Sequence, residues 1–67
     1  MGPNENGVLV VSRYETSGRT IVTYLKDGEK VKESYMGISI EAALRRFRAA
    51  HGLKGQRIPK AVYCHNG

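Results

Sequence analysis

Three arginines fall within four positions, Arg45-Arg46-x-Arg48, and Lys54, Arg57 and Lys60 follow at intervals of three. Guanidinium forks bind phosphate oxygens bidentately and are weakly hydrated, so they suit contact with a polyanion. A flexible basic loop can follow a phosphate backbone or a minor groove. Gln56, inside that loop, has the amide needed to read a base edge. The plainer reading makes Arg45 and Arg48 a solvated helix face, with Glu41 paired to Arg45 at i,i+4. It makes the loop cations ordinary solubilising charge.

Tyr14, Tyr24 and Tyr35 fall on expected strands. Exposed together on one sheet face they would stack single-stranded bases, although aromatics in so small a chain more often form its core. No RNP-type aromatic motif is present, which argues against an RRM. Cys64, His65 and His51 are the conceivable metal ligands. Adjacent Cys and His do not easily turn onto one ion, and no C-x-x-C spacing exists, so neither metal nor cofactor is expected. His51 is expected at a helix C-terminus, where a positive imidazole is favoured. There is no H-E-x-x-H, P-loop or G-x-S-x-G motif. The acids are Glu5, Glu15, Asp27, Glu29, Glu33 and Glu41, most of them beside turns or lysines, so a buried carboxylate pair is not expected. The chain reads as a binder, not an enzyme, with no small-molecule substrate.

With 67 residues, 40% apolar and 25% charged, the chain fits one small domain over 1–67 and leaves no room for a large water-excluding cavity. At this size burial and chain entropy nearly cancel, leaving on the order of 3–5 kcal/mol. The net charge of +5 is unevenly spread. Residues 1–44 hold five basic and six acidic side chains, whereas 45–67 hold six basic ones and no acid. Such a block attracts nucleic acid, or an acidic protein surface, by long-range field and counterion release. The single Cys64 cannot form an internal disulfide, and the longest apolar run, Val8-Leu9-Val10-Val11, is far short of the ~20 residues that span a bilayer. No membrane partner is expected, and cytoplasm is the location left by elimination. Size and charge would suit an accessory protein of a phage or plasmid.

These residues need elements to position them. Residues 1–7 read as a loose tail. Val8 to Tyr14 is a strand by composition, and Thr20 to Lys26 and Glu29 to Met36 are two more, joined by the hairpin signal Asp27-Gly28. A two-residue turn would pair Lys26 with Glu29 and Tyr24 with Val31; a longer turn with a glycine bulge would pair Leu25 with Glu29 and Thr23 with Val31. The first gives the better apolar pair. Lys30, Lys32 and Glu33 suggest a half-solvated third strand at a sheet edge. Ser39 is a suitable N-cap, Glu41 suits the first turn, and Ile40, Ala43, Leu44, Phe47 and Ala50 form one apolar stripe. A helix is expected over about 39–51, ended by Gly52 in the left-handed position with Leu53 as its apolar contact. Residues 54–60 form a basic loop, and Ala61 to Cys64 can add a short fourth strand with Pro59 at its start.

The order strand–strand–strand–helix resembles two families of nucleic-acid binder over residues 8–51. One is the arm-type DNA-binding domain of phage and transposon integrases, whose three-stranded sheet enters the major groove. The other is the C-terminal part of a double-stranded RNA-binding domain, on the strand–turn–strand Tyr24-Leu25-Lys26-Asp27-Gly28-Glu29. The second lacks its basic helix start, since Ser39-Ile40-Glu41-Ala42-Ala43 stands where Lys-Lys-x-Ala-Lys is usual. An integrase-type sheet would present Arg13, Arg19, Lys26, Lys30 and Lys32 interrupted by Glu29 and Glu33, which dilute its positive charge. The binding residues are therefore expected on the helix and loop: Arg45, Arg46, Arg48, Lys54, Gln56, Arg57 and Lys60, with duplex DNA preferred to RNA. The expected fold is α+β, a three-stranded antiparallel sheet on one helix. Its core is expected to hold Val8, Val10, Ile21 or Val22, Tyr24, Val31, Ile40, Leu44 and Phe47. The other function class is a protein-interaction module centred on Tyr35, Met36 and the third strand's edge, covering an acidic surface or extending a partner's sheet.

Overall fold

The computed structural model describes residues 7–66, so the tail expected over 1–7 lies outside it except for Gly7. Three strands, β1 (Val8–Tyr14), β2 (Arg19–Lys26) and β3 (Glu29–Met36), precede one helix, α1 (Ile40–Ala50), and a fourth strand, β4 (Lys60–His65). The fold is α+β. The sheet order is β3-β2-β1-β4, with β1 antiparallel to β2 and parallel to β4. The parallel pairing follows from the helix, which carries the chain back across one face before β4 begins. No helix among the described residues is long and apolar enough to cross a membrane.

The Asp27-Gly28 turn is the two-residue kind. Both residues have positive φ, 52° and 79°, as a turn matched to the right-handed strand twist requires. Lys26 therefore pairs with Glu29 and Tyr24 with Val31. Side chains alternate across a sheet, so this register sorts every strand residue to one of two faces. Leu9, Val11, Arg13, Thr20, Val22, Tyr24, Val31, Glu33 and Tyr35 share the face that α1 covers.

The buried core is Leu9, Val11, Val22, Ala43, Leu44, Phe47, Leu53 and Ile58. Leu44, Phe47 and Val22 are as expected, and Tyr24, Val31 and Ile40 pack half-buried against it. Val8 and Val10 are not in it; β1 is turned over relative to the expectation. The run Val8-Leu9-Val10-Val11 is apolar throughout and carries no alternation to read. Farther along β1, Arg13 lies on the odd-numbered face, the one opposite to that expected in the core. It is in fact the inner one, because Arg13 Nη1 donates to Thr20 Oγ1 (2.9 Å) and to the Ile38 carbonyl (2.6 Å). Those bonds satisfy the guanidinium beneath the helix start and leave buried Thr20 its partner.

At the helix ends, Ser39 Oγ accepts the Ala42 amide at 3.1 Å, and Gly52 sits at φ 68°. The Leu53 amide closes back on the Arg48 carbonyl at 2.8 Å, and the buried Leu53 side chain plugs the core below. Swapping the faces of β1 has a measurable consequence. Leu9→Ala should cost about 2–5 kcal/mol, comparable to the whole stability of so small a domain. Val10→Ala should cost less than half as much. Urea unfolding followed by circular dichroism compares the two midpoints, and equal losses would contradict the register.

Candidate nucleic-acid interface

The seven residues expected to contact nucleic acid fall into three places. Arg48, Gln56 and Arg57 line one shallow depression with Ile58 and Pro59. The half-buried Arg48 Nη2 donates to the Gln56 carbonyl and lies 3.5 Å from that of Leu53, while the Gln56 amide bonds the Leu53 carbonyl at 3.2 Å. Arg48 thus ties the basic loop to the helix, and its guanidinium is largely spent on that task. Arg45, one turn earlier, and Lys54 and Arg57, in the loop, are exposed and form no ion pair among the described residues. The Glu41–Arg45 pair of the plainer reading does not form.

Arg46 lies on the other flank of the helix, where its positive field reaches Tyr35 on β3. Lys60 opens β4 and lines a separate cleft with Arg13, Glu15, Ile40, Glu41 and Leu44, so two carboxylates share its surroundings. His51 caps the helix as expected of a C-terminal imidazole. Its ring lies 4.3 Å from that of Phe47, and Nε2 is 3.3 Å from Glu33 Oε2. Among the described residues no three His, Cys, Asp or Glu side chains come together as a metal site would require.

The sheet departs most from expectation. Arg13, Lys26, Glu29 and Glu33 all belong to the helix-covered face. The opposite face, which no other described element covers, carries four rows across the strands. They are Lys30-Leu25-Val8, Lys32-Thr23-Val10-Ala61, Ser34-Ile21-Ser12-Tyr63 and Met36-Arg19-Tyr14-His65. Three cations and no carboxylate stand there, so the expected interruption by Glu29 and Glu33 is corrected. The carboxylates of β3 sit at odd positions and its lysines at even ones, a period-2 signal that was legible in Glu29-Lys30-Val31-Lys32-Glu33 once the face was known. The tyrosines do not share a face either. Tyr24 and Tyr35 pack on the core, while Tyr14 stacks on His65 across the open face, centroids 4.6 Å apart. Tyr63, on the fourth strand, joins that side.

Burial pushes the Tyr35 phenol above the ordinary tyrosine value; the Glu33 carboxylate adds to the rise and Arg46 opposes it. No protein-family model, curated protein or solved structure matches this chain.

Two outcomes follow from these contacts. Arg48→Ala should lower stability by about 1–2 kcal/mol and speed amide exchange over residues 53–58, whereas Arg45→Ala should do neither. Exchange rates measured by NMR decide this, and an unaltered loop in the Arg48 variant would remove the clamp. Tyr35 holds its proton more tightly folded than unfolded. Its contribution to stability is therefore complete below the unfolded tyrosine pKa of about 10 and is lost as pH rises through the folded value. Tyr35→Phe should flatten the alkaline decline in melting temperature, and an identical decline in both proteins would refute the assignment.

Proposed function

We propose that this protein is a non-catalytic nucleic-acid binder that prefers duplex DNA to RNA. Arg45, Lys54 and Arg57 meet phosphates, Arg46 and Lys60 contribute from the margins, and Gln56 faces a base edge. The observation that supports this most is the joining of a basic helix to a carboxylate-free loop. No Asp or Glu occurs after Glu41, and Arg48 holds Leu53 to Gln56 against the helix. Cations presented from one ordered surface lose little conformational freedom when they dock, and counterion release from the duplex favours the complex. Fluorescence anisotropy with labelled duplex across a salt series tests it. Log K should fall linearly with log salt, and Arg45→Glu combined with Arg57→Glu should weaken every sequence alike and reduce the slope by about 1.8. Unchanged affinity in that double variant would sink the surface.

One observation favours a second reading, a protein-interaction module that lends a strand edge to a partner. The β3 edge is protected by its alternating charges, and Tyr35 and Met36 point to opposite faces, so they form no joint patch. β4 is different. Its Ala61-Val62-Tyr63-Cys64 stretch is uncharged, with Val62 43% exposed. The Pro59 and His65 carbonyls bond inward to β1, which leaves the groups of Lys60, Val62 and Cys64 facing outward. Amide shifts on adding partner separate the readings: β4 moves for strand addition, residues 45–57 for duplex DNA.

A further inference from the structure

The geometry points to a second ligand surface on this protein: the open face of the sheet takes single-stranded nucleic acid, with Tyr63 and the His65–Tyr14 stack receiving bases and Arg19, Lys30 and Lys32 receiving phosphates. This deepens the nucleic-acid reading and rests on it, but it uses residues on the opposite side of the sheet from Arg45 and Arg57.

Charge is the first argument. Pairing directs Glu29 and Glu33 to the helix side, so the open face keeps three cations and no strand carboxylate. A protein surface that repelled nothing in particular would have no need of this separation, whereas a polyanion is attracted to it at long range and repelled by nothing on arrival. Arrangement is the second. Tyr63 and His65 are alternate residues of one strand, so they rise about 6.6 Å apart on the same face. Tyr63 is 55% exposed. His65 lies nearly parallel to Tyr14, with 14° between the ring planes, so it is held flat by a ring on one side and can receive a base on the other. Such platforms accept any base, because every base has a π-face.

The third argument is the middle of the face. Val8, Val10, Ile21 and Thr23 occupy the centre between the aromatic strand and the lysine edge, with Leu25 37% exposed beside Lys30. β3 and β4 are three strand spacings apart, about 14 Å. That width lets a backbone lie over the apolar centre while lysine stems reach inward from β3, and Arg19 stands only two strands from His65. A duplex keeps its bases stacked within the helix and cannot use the rings. An unpaired strand can use both rings and cations.

The test is anisotropy with a labelled oligothymidylate, an oligouridylate of equal length and a duplex, using the whole chain. Oligothymidylate should quench tyrosine emission, which no Trp obscures. Tyr63→Ala should weaken it about 5- to 150-fold, while Tyr63→Phe, which keeps the ring, should stay within about 2-fold. Lys30→Glu with Lys32→Glu should reduce the single-strand salt slope by about 1.4. Arg45→Glu with Arg57→Glu should weaken duplex binding more than it weakens oligothymidylate binding. Equal affinities for the Phe and Ala variants overturn the platform. Duplex binding without oligothymidylate binding overturns this inference and leaves the helix–loop reading standing; binding of neither overturns both. A sedimentation-detected dimer abolished by Tyr63→Ala would also overturn it, since a second copy would then cover the face. The oligouridylate arm tells DNA from RNA.

Discussion

Everything in this fold depends on the parity of the strands, and the parity of β3 against β2 is set by the turn at Asp27-Gly28. Two residues with positive φ permit only the pairing of Lys26 with Glu29. A slip of one residue would turn all of β3 over, putting Glu33 on the open face and Lys32 under the helix. The same turn therefore places Val31 and Tyr35 against the core and divides the carboxylates from the lysines. Packing and electrostatics are two results of one local backbone choice.

Arg13 shows how that constraint is satisfied where composition opposes it. The β1 register puts an arginine on the covered face, near Thr20 and the loop before the helix. Unpaired, it would cost several kcal/mol. Bonded to Thr20 and Ile38, and within 3.8 Å of Glu15, it becomes the link between the end of β1 and the start of α1. Arg48 has the matching role at the other end of the helix. Two of the arginines are thus structural, which is why a count of basic residues overstates the charge free for a ligand.

Much of the fold was legible in the sequence, because local signals carried it. Ser39, Gly52 and Asp27-Gly28 have conformational roles that need no tertiary context, and the helix stripe at Ala43, Leu44 and Phe47 is self-evident. The faces of β1 were not legible, because four apolar residues in a row have no period. Leu53 was read as the apolar contact after Gly52 but not as core, and Ile58 was missed, because both lie in a loop, whose burial depends on what passes over it. The helix and loop cations were legible as a cluster but not as individuals: only the folded chain separates Arg48, engaged with carbonyls, from Arg45 and Arg57, which are exposed. Arg19, Lys30, Lys32 and Tyr63 gained meaning once the sheet order was known.

The parallel pairing of β1 with β4 has a bearing on the order in which the molecule assembles. β1, β2 and β3 join through short local turns, but β4 can dock only after the helix and loop have returned the chain across the sheet, so its contacts carry the largest loop-closure entropy. It buries almost nothing in return, since only Ala61 of its six residues is not exposed. β4 is therefore the natural place for the folded chain to open by itself while the hairpin and helix stay intact. The Tyr14–His65 stack and the bond from Thr16 Oγ1 to the Asn66 carbonyl, 2.6 Å, act as latches at its far end. Any molecule that bridges β4 and the neighbouring strands closes those latches further, and so couples its own binding to completion of the sheet.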